Sequence, residues 1–321
     1  MLHLAPKLGG EWVGLTLSPS RPRGAWRWWR SASWPPARRS SAPHLPSPIW
    51  QQRGSGFTLS PMPHPHILLA RDGAVATVTI DRAAKRNAMD LPMWVALAEA
   101  MEECSADDAL RCVVIRGEGE EAFCAGADIA AFQTERGTPE REAEYGAGFD
   151  RSMASIQRCR HPVVAACRGW TMGGGAGIAI KADFRVGGPA TRIGIPARNL
   201  GIWYAYSDLD ALLQIAGYAV AMEMLIEGRV LTGQEAYDKG LLSRLVPDQD
   251  VQAESLALAH RIAAGAPLSN RFHKQALQKL RGALPVTAED VRKNGDFAYT
   301  EDFKEATRAF LEKRKPVFRA R

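Results

Sequence analysis

Apolar and polar positions along most of the chain change repeatedly between the spacing of a strand and that of a helix. Residues 74–80 alternate and are rich in β-branched side chains, which predicts a strand. Residues 90–105 carry apolar side chains at helical spacing, with Asp90 placed to cap the first turn. The apolar runs 112–116 and 163–167 predict buried strands, and each is followed by a segment that leads into a helix.

From residue 207 onward the spacing is helical almost to the end of the chain. The helices predicted there span residues 208–216, 219–226, 233–239, 251–264, 268–280 and 303–314. Strands that alternate with helices, followed by a helical tail, predict an α/β core with a C-terminal helical subdomain.

The first 61 residues differ in composition from the rest. They hold six of the nine Trp and nine of the twenty Pro, with eight basic residues against one acid. They show no regular spacing and cannot bury an apolar face, so residues 1–61 are predicted to be a disordered N-terminal extension. Three interpretations stay open: an extension that the domain does not need, a targeting peptide, and a nucleic-acid-binding arm in which Arg and Trp act together.

The charge of the remaining chain argues against a nucleic-acid partner for it. The chain has 41 basic and 35 acidic residues, of which residues 62–321 hold 33 and 34, a net charge of −1. A surface so balanced has no general attraction for nucleic acid. No window holds about 18 consecutive apolar residues, so no membrane span is expected.

The cysteines point to a reduced, cytoplasmic protein. There are five of them, at positions 104, 112, 124, 159 and 167. They form no CxxC pair and no metal-ligand spacing, and an odd number in a chain of 321 residues is not typical of a disulfide framework. No metal and no redox cofactor are expected.

Two glycine-containing segments follow predicted strands and open helices. Residues 123–129 read FCAGADI, in which small residues let the backbone approach a ligand and Asp128 can cap the helix. Residues 169–177 read GWTMGGGAG and direct backbone N–H groups outward at a helix N-terminus. The second segment matches neither the GxGxxG dinucleotide spacing nor the GxxxxGK[ST] phosphate loop. Each segment alone is also explained by a tight turn or by close packing of a helix on a strand.

Together the two segments suggest a sharper hypothesis. Each turn can give one backbone N–H to the same oxygen, which would form an oxyanion hole for a thioester enolate or a tetrahedral intermediate. One such donor is worth roughly 2.7–4 kcal/mol.

These segments resemble those of the enoyl-CoA hydratase/isomerase (crotonase) superfamily. The matching segments are 82–88 (RAAKRNA), 123–129, 169–175, 228–242 and 300–318. The resemblance covers about residues 62–318. It implies an α/β fold with a crotonase-like spiral of ββα repeats over residues 62–260 and a C-terminal helical trimerisation subdomain over residues 261–321.

The resemblance also implies the ligand and the assembly. The expected substrate is a coenzyme A thioester of the kind handled in fatty acid metabolism, and no separate cofactor is expected because coenzyme A is part of the substrate. The expected assembly is a homotrimer or a hexamer.

Individual residues receive roles from the same resemblance. It implies that the oxyanion donors are the N–H groups of Ala127 and Gly174. It places the substrate and its CoA moiety against Arg82, Lys85, Ala125, Gly126, Asp128, Ile129, Met172, Gly173, Ala197 and Gly201. Ordinary solvated surface charge stays an alternative for Arg82 and Lys85. It also stays one for the basic residues of the tail, Lys304, Lys313 and Arg314.

The chain departs from the family at its acidic positions. The family pattern places Glu where this sequence has Gly177 and Ala197, and a third acidic position aligns with Ala205. Water addition needs a general base and a general acid near the reacting carbons. An oxyanion hole without them polarises a thioester but moves no proton.

A Gly-rich stretch of the family is replaced here by residues 202–210, IWYAYSDLD. Tyr204 and Asp208 in this stretch are candidates for proton transfer, because a buried carboxyl group can act as an acid near neutral pH. Alternatively, Asp208 is the N-cap of the helix predicted over residues 208–216.

Several side chains stay open as lesser candidates. Arg198 and Asn199 are candidates for binding a polar acyl group, and solvated surface residues are the alternative. Asp150 and His161 are further candidates for proton transfer.

Two functions follow for the body of the chain. The first is an acyl-CoA-processing lyase or isomerase that stabilises a thioester enolate, with hydration, isomerisation, decarboxylation and thioester hydrolysis all open. The second is a catalytically inactive relative that binds acyl-CoA. A nucleic-acid role for residues 1–61 is a separate third hypothesis.

Overall fold

Two sheets carry the fold, and from residue 112 to residue 194 successive strands belong alternately to one and the other. The computed structural model describes residues 57–60, 62–282, 287, 289 and 296–321. The strands of the larger sheet are β1 (Phe57–Ser60), β2 (Ile67–Asp72), β3 (Val75–Ile80), β4 (Cys112–Gly117), β6 (Val163–Cys167), β8 (Phe184–Gly187) and β11 (Arg244–Leu245). Those of the smaller sheet are β5 (Ala122–Cys124), β7 (Trp170–Met172), β9 (Arg192–Gly194) and β10 (Val230–Thr232).

The larger sheet has the order β1-β2-β3-β4-β6-β8-β11. Strands β1, β2 and β3 pair antiparallel, and every later pair in the sheet is parallel. All five residues of β6 are buried, as expected for a parallel strand covered on both faces. This explains why its sequence, VVAAC, shows no polar alternation.

The smaller sheet has the order β10-β9-β7-β5, in which β5, β7 and β9 run parallel. The chain therefore places one strand in the large sheet, the next in the small sheet, and then enters a helix. Three such passages, beginning at β4, β6 and β8, build the predicted spiral of ββα repeats.

The helices agree closely with the sequence predictions. They are α1 (Leu91–Ala106), α2 (Phe132–Glu135), α3 (Pro139–Arg158), α4 (Gly174–Lys181), α5 (Tyr206–Met222), α6 (Gly233–Asp238), α7 (Val251–Ala263), α8 (Pro267–Arg281) and α9 (Glu301–Leu311). The predicted cap of α1 is confirmed, since the Asp90 carboxylate accepts a hydrogen bond of 3.2 Å from the Met93 amide.

The start of α5 differs from the prediction. The helix begins at Tyr206 and its N-cap position is Ala205, so Asp208 lies inside the first turn and is not the N-cap. Gly217 has a φ of 77° and breaks the helical geometry, which matches the gap between the predicted helices 208–216 and 219–226. A π-helical segment, Glu223–Glu227, follows.

The apolar core lies where the helices pack on the sheets. Trp94 of α1 is completely buried, and its indole N–H donates a 3.0 Å hydrogen bond to the Tyr145 hydroxyl of α3. On the other face of the large sheet, α7 packs on β4 and β6 through residues such as Leu258 and Ala259. The predicted division at residue 260 therefore falls inside a helix that belongs to this core.

The predicted N-terminal boundary also differs in part from the structure. Residues 57–60 pair with β2, so the sheet begins before the predicted boundary at residue 62. The prediction of disorder for residues 1–56 lies outside the described residues.

One helical stretch among the described residues, Tyr206–Glu227, has the length and apolar composition of a membrane-spanning helix, with a mean hydropathy of 1.5. The break at Gly217 divides this stretch into two shorter pieces. Core helices of many proteins have the same composition, so the feature carries no assignment by itself.

Candidate active site

The two glycine-containing turns predicted to act together lie directly against each other. A Cβ atom built on Gly126 would lie 2.8 Å from the Met172 carbonyl oxygen and 3.1 Å from the Gly174 nitrogen. Gly126 and Gly173 also have φ values of +97° and +52°, which favour glycine. The close approach of the two turns therefore depends on the absence of a side chain at Gly126.

The backbone around Ala127 leaves its own amide available. The Met89 amide donates to the Gly126 carbonyl, and the Asp128 amide donates to the Met89 carbonyl, both at 2.8 Å. In a parallel bridge of this kind the N–H of Ala127 points away from Met89. Gly174 is the first residue of α4, where an N–H has no partner within the helix and lies at the positive end of the helix dipole.

Ala127 and Gly174 both line one cavity of about 300 Å³. Its walls come from both turns, from α2 and α3, and from the segment between β9 and α5. The lining residues are Ala125, Ala127, Ile129, Phe132, Arg136, Glu142, Tyr145, Gly146, Phe149, Asp150, Gly173, Gly174, Pro196, Ala197, Leu200, Ile202, Trp203, Tyr204, Ala205 and Asp208. The cavity is mostly apolar and holds a few convergent polar groups, which is typical of a small-molecule site.

Tyr204 brings its hydroxyl group close to the glycine turn. The oxygen lies 4.0 Å from the position of a Cβ atom on Gly173. Burial, followed by the negative charge of Asp208, raises the pKa of the Tyr204 phenol. Among the described residues this hydroxyl has no hydrogen-bond partner. Tyr204 is therefore a neutral phenol whose proton is available to a ligand in the cavity.

Asp208 forms a buried ion pair that the sequence analysis did not foresee. Its Oδ1 atom lies 3.1 Å from Nζ of Lys181, and the two side chains are only 6% and 2% exposed. The Lys181 ammonium also donates to Oε1 of Gln157 and to the Ser207 carbonyl, both at 3.0 Å. Among the described residues Oδ1 has no hydrogen-bond partner of good geometry, so the attraction to Lys181 is chiefly that of opposite charges.

Asp150 of α3 also places its carboxyl group at this cavity. No ion pair or hydrogen bond of this side chain occurs among the described residues. Burial, and then the charge of Asp208, raises the pKa of Asp150, while Lys181 acts in the opposite direction. Asp150 and Asp208 therefore have different electrostatic surroundings although both line this cavity.

The wall formed by α2 and α3 is held by Arg136. Its guanidinium group makes two 2.5 Å hydrogen bonds to the Glu142 carboxylate. It also lies 4.6 Å and 4.8 Å from the ring centroids of Phe132 and Tyr145. Sequence reasoning missed this wall. The helical spacing of positions 142, 145 and 149 was the available signal, but it identifies a helix face without showing what that face meets.

Three of the residues predicted near coenzyme A, namely Arg82, Lys85 and Asp128, form a separate cluster of charges outside the cavity lining. The Asp128 carboxylate lies 2.8 Å from Nζ of Lys85 and 3.1 Å from the guanidinium of Arg82, which also pairs with Asp90 at 3.3 Å. The hydrogen bond from Lys85 is the main cause of the lowered pKa of Asp128. As predicted, Asp128 caps the following turn, accepting from the Ala130 amide at 3.2 Å. The Lys85 side chain stays half exposed.

The loop that carries Arg82 and Lys85 is fixed by Asn87. Its amide nitrogen donates to the Glu118 and Ala122 carbonyls at 3.0 and 2.8 Å, and its oxygen accepts from the Arg82 amide at 2.9 Å. Asn87 is completely buried. Its place in the segment RAAKRNA is therefore explained by support of this loop.

The remaining predicted residues have mixed positions. Met172 touches the Gly126 turn through its carbonyl group, whereas Gly201, with a φ of +65°, lies outside the cavity lining. Ala197 and Ala205 line the cavity without offering an acid. A Cβ atom on Gly177 would meet Sδ of Met153 at 3.3 Å.

Three lesser candidates lie outside the cavity lining. Arg198 donates to the carbonyls of Ile226 and Glu227 and so holds the π-helical segment. His161 is buried elsewhere, with Nε2 placed 3.1 Å from the Asp107 carbonyl. Arg314 pairs with Glu305 at 2.6 Å. Within the described part of the chain, no group of three His, Cys, Asp or Glu side chains is arranged to hold a metal ion.

Comparison with known proteins gives consistent results. The family model described as enoyl-CoA hydratase/isomerase matches residues 70–321. A probable enoyl-CoA hydratase of Bacillus subtilis is 32% identical over 261 residues, which cover 79% of this chain and 98% of that protein. The 2,3-dehydroadipyl-CoA hydratase of Escherichia coli is 30% identical over 257 residues, covering 79% and 99%. The crystal structure of an enoyl-CoA hydratase/carnithine racemase from Magnetospirillum magneticum superposes with a TM-score of 0.78 at 40% identity, covering 81% and 97%.

Proposed function

The chain belongs to the enoyl-CoA hydratase/isomerase family, and from that premise we propose that it binds an acyl-CoA thioester and stabilises its enolate through the N–H groups of Ala127 and Gly174. The observation that carries this proposal is the contact of the Gly126 turn with the Gly174 amide at one cavity. Removal of the α-proton moves negative charge onto the thioester oxygen. Two fixed amides stabilise that charge more than the neutral carbonyl, and one such donor accounts for about 10²–10³ in rate.

The position of the thioester carbonyl determines where the acyl chain and the CoA moiety of the bound ligand would lie. An acyl chain anchored between the two turns would extend along the apolar walls formed by Ile129, Phe132 and Phe149. The thioester sulfur and the pantetheine would extend from the carbonyl group in the direction opposite to the acyl chain. The half-exposed Lys85, close to Asp128, is the group we propose to meet the phosphates of coenzyme A.

Proton transfer requires side chains other than those of the family pattern, because positions 177, 197 and 205 carry no acid. We propose Tyr204 as the donor of a hydrogen bond or a proton to the reacting acyl group. Its neutral phenol faces the cavity beside Gly173, which supports this role. Asp208, held by Lys181, supplies a fixed negative charge behind it. Reactions of a lyase or an isomerase fit these groups, and the acyl group is not specified by them.

Assembly as a homotrimer or a hexamer is part of the same proposal. Apolar side chains on and after α5 are exposed in the single chain, among them Tyr206, Tyr218 and Ile226. Burial of such a surface between subunits would stabilise an oligomer. Sedimentation equilibrium of the full chain tests this, and a monomer at micromolar concentration would contradict it.

A second candidate function is that of an inactive acyl-CoA-binding relative. The absence of an acid at Gly177, Ala197 and Ala205 favours it. This candidate predicts binding of acyl-CoA without turnover of any thioester. It differs from the first candidate in the proton-transfer step alone.

Acetoacetyl-CoA gives a test of the oxyanion hole that does not depend on proton transfer during turnover. Its enolate absorbs in the ultraviolet, so stabilisation by two amides is expected to raise that absorption when the protein is added. Gly126→Ala should lose the signal, because its methyl group would displace the Gly174 amide. Gly73→Ala is the matched control, since Gly73 also has a positive φ, +56°, but its Cβ would meet nothing within 4 Å. Absence of the enolate signal with the unmodified protein would contradict the proposed function.

A further inference from the structure

Helix α3 covers the first turn of α4, and its contacts there are direct. The ring of Phe149 lies 3.2 Å from the position of a Cβ atom on Gly174, and Sδ of Met153 lies 3.3 Å from the corresponding position on Gly177. Residues 149 and 153 are one helical turn apart, and Asp150 is the i,i+3 neighbour of Met153 and lines the cavity together with Phe149. Asp150 is therefore carried by the part of α3 that faces the oxyanion turn.

The same contacts show what the glycine at position 177 changes. The family resemblance implies an acidic side chain at that position, whereas this chain has Gly177, so α4 contributes no side-chain functional group at this point. Met153 packs against the bare backbone of Gly177 instead. The carboxyl group that reaches the cavity from this side comes from α3, at Asp150.

Asp150 also differs from the other carboxyl groups in the cavity lining. Glu142 is bound by Arg136, and Asp208 is bound by Lys181. Asp150 has neither an ion pair nor a hydrogen bond among the described residues. A carboxylate without an internal partner is open to accept a proton from a ligand that lies within hydrogen-bond reach. The Asp150 side chain is exposed at the cavity, and its partial burial, followed by the charge of Asp208, raises its pKa from the ordinary value of an aspartate.

We propose that Asp150 is the carboxylate that exchanges the α-proton of the bound acyl-CoA, in the place of the acid that Gly177 lacks. The proposal rests on the proposed function, because it requires a thioester held by Ala127 and Gly174. In the step, an Asp150 oxygen takes the α-proton. The C–H electron pair forms the enolate double bond, and the carbonyl π electrons move to the oxygen held by the two amides. The reverse step returns the proton to carbon, and the protonated Asp150 exchanges with solvent between the two.

The test is the exchange of α-hydrogens of butyryl-CoA in D₂O, followed by mass spectrometry with the full chain. This measurement needs neither the natural acyl group nor a complete reaction. The variants are Asp150→Asn, the conservative Asp150→Glu, and the matched control Glu144→Gln. Glu144 is an exposed carboxyl group of α3 outside the cavity lining. Thermal unfolding of each variant verifies that the fold is retained.

The expected result is deuterium incorporation by the unmodified protein and by Glu144→Gln at equal rates. Asp150→Asn should lower the rate by at least about a hundredfold, and Asp150→Glu should restore part of it. The acetoacetyl-CoA enolate signal should persist in Asp150→Asn. An exchange rate of Asp150→Asn within threefold of the unmodified protein would overturn the proposal. So would a protein that gives the enolate signal but never exchanges the α-hydrogens. A protein without the enolate signal fails the proposed function itself, so the two failures are distinguishable.

Discussion

The ammonium group of Lys181 lies 3.1 Å from the carboxylate of Asp208, and both side chains are almost completely removed from water. Lys181 ends α4, the helix that begins at Gly174, whereas Asp208 lies in the first turn of α5. The pair therefore ties the oxyanion helix to the segment that carries Tyr204. It also gives Asp208 a counter-ion, whereas Asp150 has no ion-pair partner among the described residues.

Loss of the lysine should destabilise the fold. Lys181→Met leaves the carboxylate of Asp208 buried without its cation, and removal of one partner of a buried ion pair costs about 3–5 kcal/mol. Urea unfolding of the variant measures this change. Adding Asp208→Asn should recover much of the loss, because no unpaired charge then remains.

The ion pair between Lys239 and Glu223 provides the comparison. Its side chains are about a quarter exposed, at 29% and 26%. Lys239→Met should therefore cost no more than about 1 kcal/mol. Equal effects of the two lysine substitutions would contradict the account of the Lys181 pair.

Loss of the Tyr204 hydroxyl should reduce activity without much change in stability. Tyr204→Phe keeps the ring and removes the proton that faces the cavity, and a positioned acid contributes about 10²–10⁴ in rate. We expect a loss of about a hundredfold in turnover of a responsive thioester from a panel of enoyl-CoA and 3-enoyl-CoA compounds. Tyr237→Phe is the matched control, because that side chain is 45% exposed and lies outside the cavity lining. Similar turnover rates for the two variants would contradict the proposed role of Tyr204 in proton transfer.

The pH dependence of α-hydrogen exchange should respond to Asp208. The exchanging form of Asp150 is the carboxylate, so the rate falls as pH drops through its pKa. The negative charge of Asp208 raises that pKa and Lys181 lowers it. Asp208→Asn should therefore move the acidic limb of the profile to lower pH, and Lys181→Met should move it to higher pH. Shifts in the opposite directions would show that another group controls the limb.

His161 should make the fold sensitive to mild acid. Burial, together with Arg271 and Arg160, lowers the pKa of its imidazole to about 4. An unfolded chain has a histidine pKa of about 6.5 and binds the proton more readily. The free energy of unfolding should therefore decrease as pH falls from about 6.5 to 4.

His161→Gln should flatten this decrease, as measured by the unfolding temperature against pH. His273→Gln changes an exposed histidine and should leave the slope as it is. An unchanged slope in His161→Gln would assign the acid sensitivity to other groups.

The longer elements of the fold were predictable because each extends over at least one period of its pattern. Helix α1 was predicted to within one residue at each end, and the strand at Val163–Cys167 was predicted exactly at its bounds. Strands such as Trp170–Met172 and Val230–Thr232 were missed, since three residues are too few to show alternation. Ile67–Asp72 was also missed, because its apolar and charged residues are grouped rather than alternating.

The two turns of the site were predictable, because glycine is required where two backbone segments approach each other closely. The opposite wall was not, because Asp150 and Phe149 are brought to Gly174 by packing between helices. A sequence pattern shows that one side of α3 is buried or polar, but not which element it meets. The partnership of Lys181 with Asp208 was hidden for the same reason, because the two residues are 27 positions apart in the sequence and lie on different helices.

The central claim is that the amides of Ala127 and Gly174 meet at one thioester oxygen. The most direct measurement is a crystal structure of the full chain with a bound acyl-CoA. The account predicts that the carbonyl oxygen lies within about 2.7–3.1 Å of both amide nitrogens. A thioester oxygen that contacts neither nitrogen, or an acyl chain bound outside the cavity beside Gly126, would contradict it.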